Sequence, residues 1–308
     1  MTEINRKLID NILKLKKRKK AVILAHNYQR GEIQDIADYV GDSIGLSKKA
    51  KEVQDAKLIV FSAVDFMAES AAIINPDKKV LLPSMGARCP MAQMLPAEEV
   101  KYWKAKHPGA PVVLYVNTSA EAKAECTVCC TSANAVEVVN SLDADTVLFG
   151  PDANLAWHVQ QNTEKKIIPI PEKGFCPVHV LFLKEDALLL KKKNVDAVIS
   201  VHPECPPDVQ SMADFVGSTS QMCRYAKKMS AEKSIIGTEI GLLHRLKKEN
   251  PEKMFIPLYE DAVCVNMKLN TLERIYQSLN REQYLVKVPK PVAEKARNAL
   301  ERMFSVTG

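Results

Sequence analysis

Short apolar runs alternate with stretches of helical spacing along the whole chain, and the alternation repeats three times. The runs VILAHNYQ at 22–29, VVLYVNTS at 112–119 and VISVHPEC at 198–205 each begin apolar and end on polar side chains. A second set, VGDS at 40–43, CCTS at 129–132 and VGSTS at 216–220, reads as strand ends carrying small hydroxyl residues. A third set, LIVFSAV at 58–64, TVLFGPD at 146–152 and SIIGTEI at 234–240, reads as strand cores. The fourth, NPDKKVLLP, NTEKKIIPI and NPEKMFIPL from Asn75, Asn162 and Asn250, reads as a charged turn followed by a short strand. Runs this short, each followed by a helical stretch, predict β-α-β-α-β-α-β units with parallel sheets. The fold class is therefore α/β: three modules related by a pseudo-threefold axis, each a short parallel sheet flanked by helices, around a central active site. The expected bounds are 1–107, 108–194 and 195–308. Ile4, Leu8, Ile12 and Leu15 predict an N-terminal helix, and 291–304 predicts a last amphipathic helix that packs back on the first repeat.

Three of the eight cysteines keep the same register. Cys89 and Cys176 are 87 residues apart, Cys176 and Cys264 are 88 apart, and each lies 14 residues after its repeat's asparagine. Ligands sit beyond the carboxyl ends of the strands in open parallel sheets. Three modules turned toward one axis would bring these thiols to a common centre. Three thiolates can hold zinc or an iron-sulfur cluster, and a cluster with three cysteines keeps one iron open to act as a Lewis acid. A buried free cysteine is also a common small core residue, and only the shared register favours ligands here. Cys126, Cys129 and Cys130 lack a second CxxC to complete a zinc site, so they read as structural or as a redox pair. Cys205 and Cys223 are not read as ligands.

Composition narrows the class. The net charge is +6 over 308 residues, and the densest basic run, Lys14–Lys20, falls at the end of the first predicted helix. That is a solvated helix end rather than a nucleic-acid surface, and mild positive charge suits anionic substrates. The longest apolar stretch, Ala21–Ala25, is far below the roughly 20 residues of a membrane span. With no signal core at the start, the expected location is the cytoplasm, where eight cysteines stay reduced.

The strand ends carry acid-base and anion-binding groups. His26, Tyr28, Tyr115, His202 and Glu204 cover a wide pKa range, and Asn117 adds an amide. Ser43, Ser132, Ser218 and Thr219 precede predicted helices, where they could bind anions or simply cap. Met67, Met91, Met94 and Leu95 read as core or cavity lining.

These motifs, taken in order, resemble the quinolinate synthase family across almost the full chain: HNYQ, GDS, VDFMAES, NPDKKVLLP, GARCPMA, YVNTSAEAKA, TSANA, GFCPVH, HPEC, GST and DAVCVNMK. The resemblance implies one 4Fe-4S cluster on Cys89, Cys176 and Cys264 with one open iron. It implies condensation of iminoaspartate (iminosuccinate) with dihydroxyacetone phosphate to quinolinate, phosphate and water, in NAD biosynthesis, downstream of an aspartate-oxidising enzyme. Substrate contacts carry over to His26, Ser43, Tyr115, Asn117, Ser132, His202, Glu204, Ser218 and Thr219. Glu204 is expected to be the main acid/base, with Tyr28 and His26 moving protons. The cysteines at 126, 129 and 130 depart from the other repeats, and no CxxC accompanies Cys264. The rival readings are another Fe-S hydro-lyase, a non-catalytic Fe-S carrier or sensor with a fourth protein ligand, and a zinc protein.

Overall fold

The computed structural model describes residues 3–53 and 55–306. Three four-stranded, all-parallel sheets succeed one another along the chain. The first contains β1 (Ala21–His26), β2 (Tyr39–Gly41), β3 (Leu58–Ser62) and β4 (Lys79–Leu81) in the order β2-β1-β3-β4. The second contains β5 (Val112–Tyr115), β6 (Val128–Cys130), β7 (Thr146–Gly150) and β8 (Lys166–Pro169), ordered β6-β5-β7-β8. The third contains β9 (Val198–Val201), β10 (Phe215–Val216), β11 (Lys233–Gly237) and β12 (Met254–Pro257), ordered β10-β9-β11-β12. Each sheet therefore reverses its strand order between its first and third strands, the position at which doubly wound sheets bind ligands. All five residues of β3 are buried, which accounts for an unbroken apolar run instead of an alternating one.

The repeated asparagine-lysine signature has a structural cause. Asn75, Asn162 and Asn250 each donate from the side-chain amide to a carbonyl four residues back, at 2.9, 2.8 and 3.0 Å, and so close the preceding helix. Three residues on, each lysine reaches across to carbonyls near the end of an earlier helix: Lys78 to those of Ala50 and Val53, Lys165 to Leu142 and Ala144, Lys253 to Ala226 and Met229. Orphan carbonyls at helix ends need such donors, and an ammonium also complements the negative end of the dipole.

The helices that follow the third unit extend one expectation. Helix Leu272–Arg281 packs on the first unit, against helix Glu3–Arg18 and β3, through Leu272, Ile275 and Leu279. The last helix, Lys290–Val306, packs back on helix Asp65–Ile74 of the first unit as expected, and it also touches β6 and helix Ala120–Lys123 of the second. Its buried stripe Ala296, Ala299, Leu300 and Met303 shares one apolar cluster with Val128 and Val138. Small alanines let the helix sit deep in that groove, a fit that helical spacing alone does not encode.

Candidate active site

The carboxyl ends of the three sheets face one cavity, lined by residues from all three units. Cys89, Cys176 and Cys264 all line it. Each follows the fourth strand of its sheet and opens a single 3-10 turn: Met91–Gln93, His179–Leu181 and Met267–Leu269 respectively. The backbone N–H three residues on, from Ala92, His179 and Met267, acts on the thiol in each case to lower its pKa. Burial pushes all three thiols above the usual range, so they are neutral until a cation is bound.

The residues fit a soft-metal centre. Three thiols from three units share one cavity, and thiolates select soft or borderline metals. Among the described residues no other cysteine lines the cavity. Cys205 turns its thiol to the Gly237 carbonyl at 3.3 Å, and the Cys126 and Cys129 sulfurs lie 3.8 Å apart in the second unit. Cys130 is buried in the core and Cys223 lines a separate groove. The closest group of potential metal donors is Cys176, His179 and Glu204, whose donor atoms lie within 4.8 Å of one another.

The acid-base groups gather around Glu204. Tyr115 donates its hydroxyl to Glu204 Oε1 at 2.7 Å, and His179 Nδ1 lies 2.8 Å from Oε2, close but without hydrogen-bond alignment. Thr238 Oγ1 then joins His179 Nε2 at 2.9 Å and the Tyr28 hydroxyl at 2.7 Å. The result is one chain of contacts from Tyr28 through Thr238, His179 and Glu204 to Tyr115. Burial would raise the Glu204 carboxyl, but His202, His179 and the bond from Tyr115 outweigh it and hold it down at about 2. Burial and the neighbouring Glu204 push both phenols, Tyr28 and Tyr115, well above their ordinary range. At neutral pH the site thus holds a carboxylate between two protonated phenols.

His26 and His202 occupy equivalent places. Nδ1 of His26 accepts the Tyr28 N–H at 3.2 Å, and Nδ1 of His202 accepts the Glu204 N–H at 3.3 Å. Burial takes their pKa values down to about 4 and about 3, so both rings are neutral at pH 7. With Nδ1 accepting, the proton sits on Nε2. His202 directs that nitrogen to Ser132 Oγ at 3.1 Å.

Of the other residues singled out in the sequence, Ser43, Asn117, Ser132 and Thr219 line the cavity. Asn117 Oδ1 is buried without a partner, an acceptor available to a ligand. Thr219 Oγ1 receives the Asn27 amide at 2.8 Å. Ser218 is different. It caps helix Thr219–Lys228 in a capping box with Gln221 and donates to Asp42 Oδ2 at 3.0 Å, and it does not line the cavity. Met67 and Met91 line the cavity, and Leu95 lies in the core. Sequence reasoning met His179 only as part of GFCPVH, without a role, and passed over Thr238. The position of His179, three residues after Cys176, was a usable signal; Thr238 had none.

Three like parallel α/β units that close on thiols, neutral imidazoles and the Glu204 carboxylate define a three-module α/β enzyme with a soft-metal donor set. The chain belongs to the quinolinate synthetase A protein family, whose family model matches residues 10–305. It is 54% identical to a quinolinate synthase of Methanothermobacter thermautotrophicus, over 96% of this chain and 97% of that one. It is 53% identical to one of Thermotoga maritima, over 98% and 100% of the two chains, and 52% identical to one of Methanocaldococcus jannaschii, over 97% and 99%. Among the described residues no helix is long and apolar enough to cross a membrane.

Proposed function

We propose that this chain, as a quinolinate synthase, condenses iminoaspartate with dihydroxyacetone phosphate to give quinolinate, phosphate and water, in the cytoplasm. We propose further that Cys89, Cys176 and Cys264 hold one 4Fe-4S cluster. The observation that carries the reading is that three thiols from three repeats open onto the same cavity as the Glu204 network. When bound, the cluster would supply one iron without a cysteine ligand, a Lewis acid for a substrate oxygen that is lost as water.

The chain's own residues account for binding and proton movement. Both substrates are anions, and the neutral Nε2–H donors of His26 and His202 can receive carboxylate or carbonyl oxygens. Hydroxyls of Ser43, Ser132 and Thr219, with the Asn117 amide, complete a polar wall for phosphate and carboxylate. Glu204, ionised and buried, is the group suited to take a proton from substrate carbon or nitrogen. Tyr115 at Oε1 can return a proton to the substrate. Tyr28 lies at the far end of the contact chain through Thr238 and His179, so proton movement during keto-enol isomerisation can be relayed between Tyr28 and Glu204. Burial of these groups excludes water, which protects an imine substrate from hydrolysis. An aspartate-oxidising enzyme in the same compartment would supply that imine.

The test is anaerobic reconstitution with iron and sulfide, followed by assay with each substrate alone and with both. Quinolinate should form only with both substrates and only in the loaded protein. Product from another substrate pair, or equal turnover by the metal-free chain, would overturn the assignment.

A further inference from the structure

The three cysteines are tied to their own units by a recurring pair of contacts, complete at Cys89 and Cys264 and half made at Cys176. Asp65, Asp152 and Glu239 follow the third strands β3, β7 and β11, and lie 24, 24 and 25 residues before Cys89, Cys176 and Cys264. Asp65 Oδ1 accepts the Cys89 N–H at 3.0 Å, and Glu239 Oε1 accepts the Cys264 N–H at 3.1 Å. Asp152 holds the equivalent place in the second unit, where its Oδ1 accepts the Leu155 N–H at 2.7 Å and its Oδ2 is buried without an aligned partner. A second bond runs the other way. The backbone N–H groups of Asp65, Ala153 and Ile240 donate to the carbonyls of Ala87, Gly174 and Ala262 at 2.8, 2.8 and 3.0 Å. Each of those carbonyls lies two residues before the cysteine. Asp152 and Glu239 are fully buried, and burying a carboxyl is costly unless something needs it there. Capping explains the bond from Leu155 N–H to Asp152 Oδ1, but not the bonds from the Cys89 and Cys264 amides to Asp65 and Glu239.

We propose that Asp65, Asp152 and Glu239 are positioning residues, which clamp the three cysteine loops in a common register so that their thiols can share one cluster. This rests on the cluster assignment above. The physical reason is geometric: the third strand is central and rigid, the cysteine follows the short edge strand, and a side chain spanning the two transfers the order of the first to the second. Where the offset lengthens by one residue, the longer glutamate takes the place of aspartate, and Lys268 Nζ, 2.8 Å from Oε1, balances its charge.

The test compares three kinds of variant: Asp65→Ala, Asp152→Ala and Glu239→Ala; the amides Asp65→Asn, Asp152→Asn and Glu239→Gln; and Glu239→Asp, which keeps the charge but shortens the reach. Iron and acid-labile sulfide per chain, the rate of iron loss to a chelator, and the melting temperature of the metal-free chain are measured for each. Alanine variants should release iron roughly 10- to 100-fold faster, the range typical of groups that orient metal ligands. The amides, which keep an acceptor oxygen, should restore retention, and Glu239→Asp should behave like Glu239→Ala. Parent-like retention in the alanine variants, or no rescue by the amides, overturns the proposal. Where an alanine variant does not fold, Glu239→Asp decides, and parent-like retention by it likewise overturns the proposal. Cys89→Ser serves as the reference. If it keeps full iron and sulfide, the cluster assignment itself falls, a result distinct from failure of the clamp.

Discussion

Tyr115 and Glu204 come from different repeats, 89 residues apart, and meet in a buried hydrogen bond of 2.7 Å in which the phenol donates. Tyr115 stands at the strand end where the other two repeats carry His26 and His202. The pseudo-symmetric position has thus been given a proton donor with a high pKa, beside the one carboxylate in that group of strand-end side chains. The asymmetry makes the centre of the molecule a directional acid-base site instead of a threefold ring of like groups.

Replacing Glu204 with Gln keeps the shape and removes the base. Turnover should fall by about 10²- to 10⁴-fold, the usual contribution of a positioned general acid or base. Iron and sulfide content should stay at the parent level. Retained kcat would remove Glu204 from the mechanism, and loss of iron together with activity would instead make it a metal ligand, as its place beside Cys176 and His179 permits.

A scan of the eight cysteines separates ligands from packing. Serine at 89, 176 or 264 should abolish the iron-sulfur absorbance. Serine at 126, 129, 130, 205 or 223 should leave it, since none of these sulfurs lines the cavity. Loss of absorbance with Cys205→Ser in folded protein would point to a fourth protein ligand and hence to a carrier or sensor.

The two strand-end imidazoles make the fold acid-labile. His26 and His202 titrate at about 4 and about 3 in the folded chain, below the 6.5 of an unfolded histidine. Between those values and 6.5 the unfolded state binds more protons, so stability is full above 6.5 and falls as pH drops toward 4. The slope is about 1.4 kcal/mol per pH unit for each ring. Glu204, held at about 2 against an ordinary 4.5, adds a loss of the same sign below 4.5. Urea unfolding of the metal-free chain at about pH 7 and about pH 5, on either side of the ordinary histidine value of about 6.5 where the loss begins, should show the drop, and His202→Gln should reduce it. An unchanged pH dependence in that variant would show that His202 is not buried neutral.

Gly174 admits no side chain. A Cβ there would lie 1.7 Å from the Pro151 carbonyl oxygen, which is backbone and cannot swing aside. Gly174→Ala should therefore displace the loop that leads to Cys176, at a cost of at least about 1 to 3 kcal/mol. A lowered melting temperature with reduced iron content is expected, and parent-like values for both would mean that the loop tolerates the shift.

Much of this architecture was legible because it is periodic. Apolar runs of strand length at recurring offsets fixed twelve parallel strands in three sets, and a constant distance from asparagine to cysteine picked out three thiols among eight. Those features depend on contacts within one repeat, where strand direction and side-chain alternation follow from local sequence. The placement of the last helix, the diversion of Ser218 to Asp42, and the recruitment of His179 and Thr238 to Glu204 depend on how separate repeats pack. No periodicity encodes those contacts. They are set by the angle and depth at which three sheets meet, which emerges only when all their side chains are packed together.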